Sequence, residues 1–295
     1  MKFGYTEDLT SVDFSLPQDH PLTATFLSGK PASLQVYAGC AKWSRKEWLG
    51  SVYPKGTPSG QFLHHYSRMF NSIELNSTGY SFKSFKSFEA WRNETPEDFT
   101  FSPKFPRQIS HFKRLKGSAV EDALRFLELA AGLGTGMGLP ILQMPENFTP
   151  NGMEHLAPFV EQVAPSRPIA IELRHEGWFS DPGILEETGR LFHEHGVTWV
   201  ITDTPGRRDA IHQVVSSDRV LIRFQGVNDL AIDLPRIEAW VERLAYWAGQ
   251  GLHTVYWYAH NEPEDGTPAQ CAAFLKAINL RCDLSTRGAT LLNES

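Results

Sequence analysis

PIAIELRHEGWFSDPGILEETGRLFHEHGVTWVITD, from Pro168 to Asp203, holds one complete strand–helix–strand unit. PIAIEL and VTWVITD are short β-branched runs, and Asp181-Pro182 sets a capping side chain before a proline at a first helical position. Gly196 follows the helical segment as a stop. The same alternation extends in both directions. Strand-like runs recur at LQVYAGC from Leu34, SIELNS from Ser72, FTFSPK from Phe99, PILQM from Pro140, RVLIRF from Arg219 and TVYWYAH from Thr254. Helical patterns lie between them, such as AVEDALRFLELAAGL from Ala119, and Thr267-Pro268 is expected to cap another. About eight such units over roughly 250 residues is the arithmetic of a single (β/α)8 TIM barrel. A doubly wound open sheet is the structural rival, but no GxGxxG or Walker-type loop occurs. The expected layout is an N-terminal extension, 1–33, draped over a barrel domain, 34–282, with a polar tail, 283–295. No Gly/Ser-rich linker divides the chain.

Composition narrows the class. The 295 residues are 41% hydrophobic and 21% charged, which excludes wholesale disorder and fibrous repeats. Lys and Arg number 28 against 34 Asp and Glu, a net charge of −6 that argues against broad attraction to nucleic acid or anionic membrane. Cys40, Cys271 and Cys282 are an odd set without CxxC spacing, as expected of reduced thiols in a cytoplasmic protein. The opening MKFGYTEDLTSVDFSLPQDH lacks the apolar stretch of a secretory signal, and nowhere do about 18 apolar residues run together to span a membrane.

Polar residues fall at the late ends of the strand-like runs. Side chains alternate along a strand, so Glu74 and Asn76 share a face opposite Ile73 and Leu75, and Glu172 shares one with Arg174. Lys104, Gln143, Asp203, Arg223, His260 and Asn261 stand at other run ends, and Lys42 and Trp43 follow the first run. Charges inside a barrel are costly unless paired or near water, and barrel active sites lie at the strands' carboxyl ends. One pocket accounts for the recurrence. Singly, each residue also has a plainer role: Glu172 with Arg174 as a structural pair, Asp203 as a cap before Thr204-Pro205, and His260-Asn261 as part of a turn.

GCAKWSRKEWLGSVYP (Gly39–Pro54), FNSIELNSTGYSF (Phe70–Phe82), FTFSPKFPRQISH (Phe99–His111), IELRHEGW (Ile171–Trp178) and RFQG (Arg223–Gly226) occur in that order. Together they resemble the YecE-like family, domain of unknown function 72, over about Gly39 to Asn279. The resemblance implies a TIM-barrel fold and places Glu74, Asn76, Lys104, His111, Glu172, Arg174, Asp203 and Arg223 at positions that the family pattern marks. It implies no particular reaction. The chain departs from that pattern at Gln225, where the family commonly has His, and at His260-Asn261, where it tends to have an Asn pair.

Several chemistries fit this set. Glu74, Glu172 and Asp203 are the candidate catalytic acids and bases, because neighbouring carboxyls split donor and acceptor roles. Glu74, flanked by apolar neighbours, is the expected proton donor. Lys42, Trp43, Asn76, Lys104, His111, Gln143, Arg174, Arg223, His260 and Asn261 are the candidate ligand-binding residues. Arg223 with Gly226 suggests an anion site after the seventh run, the usual phosphate position in such barrels. Lys104 suits anion anchoring more simply than a Schiff base. Trp43, Trp48 and Trp178 could stack on a ligand or pack loops.

No cofactor is expected. Glu74, Glu172, Asp203 and His260 could gather a divalent metal, but no HExxH occurs, His64-His65 and His193 with His195 fall on outer helices, and nearby cations repel a dication. The expected function is therefore acid–base chemistry on a small anionic, polyhydroxylated ligand such as a sugar phosphate, by an isomerase, lyase or hydrolase. The alternatives are a nucleic-acid-binding or repair-like phosphodiesterase barrel and a non-catalytic ligand-binding protein. No membrane partner is expected.

Overall fold

The computed structural model describes residues 3–27, 29–31 and 33–293. Positions 1, 2, 28 and 32 of the expected extension, and 294 and 295 of the tail, lie outside the described residues. Each strand-like run carries a strand: β1 (Gln35–Cys40), β2 (Ser72–Leu75), β3 (Thr100–Pro103), β4 (Ile141–Gln143) and β5 (Ala170–Glu172) come first. The Val197 run divides at Val200 into β6 (Thr198–Trp199) and β7 (Ile201–Asp203), and β8 (Arg219–Gln225) and β9 (Thr254–His260) complete the series. All of their pairings are parallel. They form an α/β fold of parallel sheets in the orders β1-β9-β8-β7, β4-β5-β6 and β2-β3. The Val197 run joins two of these, since β6 pairs with β5 and β7 with β8.

Parallel neighbours need crossovers, and α-helices supply them except between β7 and β8, where an irregular segment carries only a short 3-10 turn at Arg208–Ala210. After the short α1 (Pro21–Phe26) these are α2 (Phe62–Met69), α3 (Phe85–Asn93), α4 (Ala119–Ala130), α5 (Met153–Val163), α6 (Gly177–Ser180), α7 (Pro182–Glu194), α8 (Leu230–Gly249) and α9 (Thr267–Cys282). None in the described residues is long and apolar enough to cross a membrane. Asp181 caps α7 by accepting from the Gly183 and Ile184 amides at 2.8 and 3.2 Å. Thr267 does not cap α9. It is the first helical residue, Gly266 takes the cap position, and the buried Thr267 hydroxyl has no partner among the described residues.

The main core lies between strands and helices, where Trp240, Trp257, Phe224 and Phe274 pack ring on ring. A smaller apolar group joins the strands themselves: Leu139, Ile141, Ala170, Val200, Leu221, Tyr256 and Tyr258. The N-terminal segment starts at the carboxyl ends of β5 and β7, where Phe3 meets Arg174 and Gly4 meets Thr204, and then descends along α8. The Thr204 hydroxyl donates to the Gly4 carbonyl at 2.9 Å, Arg243 to the Pro17 carbonyl at 2.9 Å, and the Trp247 indole to Asp19 at 2.9 Å.

Candidate functional site

Three strands meet at one guanidinium. Arg223 of β8 donates from Nε and Nη2 to the two oxygens of Glu74 on β2, at 2.9 and 2.8 Å. Its Nη1 donates to both oxygens of Glu172 on β5, at 3.0 and 2.9 Å. Arg174 Nε and the Thr202 hydroxyl complete Glu172 at 3.0 and 2.9 Å. The alternation of SIEL and AIE turns both carboxylates to the same interior, away from Ile73 and Ile171. Glu74, Glu172 and Arg223 are buried.

Burial alone would raise both carboxyls. The guanidiniums outweigh it: Arg223 and His260 hold Glu74 well below the usual range, and Arg174, Arg223 and Lys104 bring Glu172 to about 2. Glu74 is thus an ionised acceptor at neutral pH, not the proton donor that its apolar flanks suggest. Its second partner is His260 of β9, with Nε2 3.0 Å from Oε2. A carboxylate only accepts, so Nε2 carries the proton, and burial keeps the ring's pKa below its ordinary value, leaving Nδ1 free of a proton.

Above this floor opens a cavity of about 720 Å³. Lys42, Lys83, Lys104, Arg174 and Arg223 line it, against Glu74, Glu262 and Glu264. Lys104 follows β3 with its backbone fixed on both sides: its amide donates to the Leu75 carbonyl at 3.3 Å, and the Thr78 hydroxyl donates to its carbonyl at 2.7 Å. Its ammonium donates to Gln143 Oε1 and, at 3.4 Å, to Asn76 Oδ1. Burial, reinforced by Arg223 and Arg174, lowers its pKa to about 7. At one edge Phe3 covers Arg174, whose guanidinium lies 4.5 Å from the ring centroid. Among the described residues no group of three His, Cys, Asp or Glu is placed to hold a metal ion.

The family model described as "Protein of unknown function DUF72" matches residues 37–290. The chain belongs to the DUF72 family. It is similar to the UPF0759 protein YecE of Escherichia coli K12, 29% identical over 72% of this chain and 82% of that protein. It is also similar to the UPF0759 protein YunF of Bacillus subtilis, 25% identical over 65% and 71%. A DUF72 family crystal structure from Thermotoga maritima superposes with a TM-score of 0.62 at 25% identity, covering 83% of this chain and 98% of that one. One from Enterococcus faecalis, 18% identical, gives 0.62 over 86% and 100% and shares the fold.

Within this DUF72 chain, Lys42, Trp43, Glu74, Asn76, Lys104, Gln143, Arg174, Arg223 and His260 line the cavity, and Glu172 stands directly behind it. Other expected residues do not join them. Asp203 turns toward α8, where it accepts from Arg236 Nη2 and Trp240 Nε1, both at 2.7 Å, and from Arg208. Asn261 donates to Asn228 Oδ1 at 2.6 Å and packs against Gly226, away from the cavity. His111 is half-buried nearby, with Nδ1 2.8 Å from the Ser110 hydroxyl, and burial with Arg107 and Lys104 lowers its pKa to about 4.

The turn at Gly226 is no open anion site. The Asp233 carboxylate of α8 already accepts from the Val227 amide at 3.0 and 3.2 Å, and a Cβ on Gly226 would collide with Gln270. Trp178 and Trp48 are packing residues: the Trp178 indole donates to the Phe148 carbonyl at 2.6 Å, and Trp48 is buried beside Tyr66. Sequence reasoning passed over Tyr80, Lys83, Glu262 and Glu264. They sit in loops after β2 and β9, and the only available signal was proximity to a strand end.

Proposed function

We propose that the protein is an enzyme that carries out acid–base chemistry in this cavity on a small anionic, polyhydroxylated ligand such as a sugar phosphate. The observation that carries the reading is the convergence of Lys42, Lys83, Lys104, Arg174 and Arg223 on one cavity. Arg223 is committed to Glu74 and Glu172, so anion binding falls to Lys42, Lys83, Lys104 and Arg174. Trp43 and Tyr80 offer faces to the sugar. The Nδ1 atom of His260 takes and returns the proton, and Glu74 fixes the ring's tautomer. No cofactor enters this reading. The cytoplasm is the proposed setting, in keeping with three cysteines that are all thiols.

We infer too that the sheets belong to one closed (β/α)8 barrel. Support comes from Arg223, whose two carboxylates lie on β2 and β5, and from bridges that link Phe101 to Met137 and Lys104 to Ile141 across the gap between β3 and β4.

Inorganic phosphate and ribose 5-phosphate should each raise the melting temperature, and ribose alone should do so much less. No response to either anion would refute the reading. A nucleic-acid role is the rival, favoured by Gly79–Phe88 and Lys104–Gly117, which carry lysines and arginines but no acid and expose Tyr80, at the cavity, with Phe85 and Phe112. Single-stranded DNA binding that persists at about 0.2 M salt without any phosphate response would decide for it.

A further inference from the structure

We propose that Lys104 is a covalent nucleophile, forming a Schiff base with the carbonyl group of an aldehyde or ketone that carries an anionic substituent. The proposal rests on the anion-binding reading and names the substrate class within it. The geometry is specific to this amine. Its stem lies beside Gly79, where even a Cβ would make only ordinary contact with Lys104 Cδ at 3.5 Å, so nothing on that side crowds the amine's approach to the cavity. Its hydrogen-bond acceptors are the amide oxygens of Asn76 and Gln143, and among the described residues no carboxylate lies within ion-pair distance of its ammonium. The neutral amine loses little from such partners, because amide oxygens stabilise an ammonium less than carboxylates do.

Two guanidiniums and two glutamates surround it, and burial with Arg223 sets its pKa near 7. At pH 7 about half of it is neutral, roughly 10³-fold more than for an ordinary lysine. Lys42 shows the contrast, since it lines the same cavity but is paired with Glu264 at 2.9 Å.

The step balances without a co-reactant. The amine lone pair adds to the carbonyl carbon, forming a C–N bond, and an amine proton passes to the oxygen. The carbinolamine then loses that oxygen as water, taking back the proton that the ammonium shed to free its lone pair. Overall, one ammonium and one carbonyl give one protonated imine and one water, with charge conserved and nothing oxidised. Glu74 and Glu172, both ionised, offset the retained positive charge.

The test is borohydride reduction of the full chain with dihydroxyacetone phosphate, followed by peptide mapping, with phosphate-induced melting shifts measured on the same preparation. The expected result is one reduced adduct on Lys104, formed at a rate that rises with pH and levels off above about 7. Lys104→Met should lose the adduct. Should that variant fail to fold, the mapped position in the unaltered chain decides alone. Adducts spread over surface lysines, or none on Lys104, with the phosphate shift intact, would overturn the nucleophile and leave anion binding standing. Loss of both signals would overturn both.

Discussion

Arg223 and Arg236 are both buried guanidiniums set between two carboxylates, and they do different work. Arg223 joins Glu74 to Glu172, and Arg236 joins Asp203 to Asp233. The Arg236 cluster is closed on every side. Trp240, Arg208, Gln270 and the Val227 amide occupy the carboxylate oxygens, and the rings of Phe14 and Phe224 stand 4.8 and 4.3 Å from the guanidinium. The Arg223 cluster is closed below and open above, where His260, Lys104 and Arg174 border the cavity. Charged residues at a strand end therefore do not define a site. Access to the charge does, because only an uncovered group can exchange partners with a ligand.

The sharpest way to break this contrast is Arg236→Met. It strands Asp203 and Asp233 in a buried setting and should cost about 3–5 kcal/mol in denaturant unfolding while leaving the phosphate-induced melting shift unchanged. Arg223→Met should cost as much and also weaken that shift, because the released Glu74 and Glu172 would compete with the anion for Lys104 and Arg174. Equal loss of the shift in both variants would erase the distinction. Trp240→Phe removes one donor from Asp203 and should cost about 1–3 kcal/mol, again without touching phosphate binding.

The pH response separates the clusters further. Glu74 and Glu172 have folded pKa values below their unfolded ones, so their contribution to stability is complete above about 4.5 and declines as pH falls toward about 2. Lys104 is also depressed in the folded protein, so between about 7 and 10.5 the unfolded chain binds more protons and stability rises with pH. Stability curves across pH 6–11 should lose that alkaline rise in Lys104→Met and keep it in Trp240→Phe. The smallest expected effect is that of Lys83→Ala, within about 0.5 kcal/mol in stability. It should nonetheless weaken the phosphate shift, since Lys83 lines the cavity and its ammonium donates to the Ser81 hydroxyl of its own loop, with no carboxylate partner among the described residues.

Much of this is legible in the amino-acid sequence. Periodicity and caps such as Asp181 located the strands and α7, because both depend on residues a few positions apart. Alternation put Glu74 on a face with Asn76 and Glu172 on a face with Arg174 for the same reason. The misreadings share a cause. Asp203 stands at the end of its run as Glu172 stands at the end of AIE, and Gly226 looks like an open turn. What fills the space beyond them, Arg236, Trp240, Asp233 and Gln270, comes from α8 and α9 further along the chain.

Lys104 marks the same boundary from the other side. Its position at the end of FTFSPK was plain, yet its lowered pKa depends on burial and on Arg223 and Arg174, distant in sequence. The amino-acid sequence by itself determined the parallel strand–helix alternation and which residues reach the strand ends, since short-range sterics and periodicity govern both. Only the tertiary structure decided which charges pair, which remain open to the cavity and which amine is neutral near pH 7, because solvation and Coulomb interactions act through space between chain segments that sequence spacing does not relate.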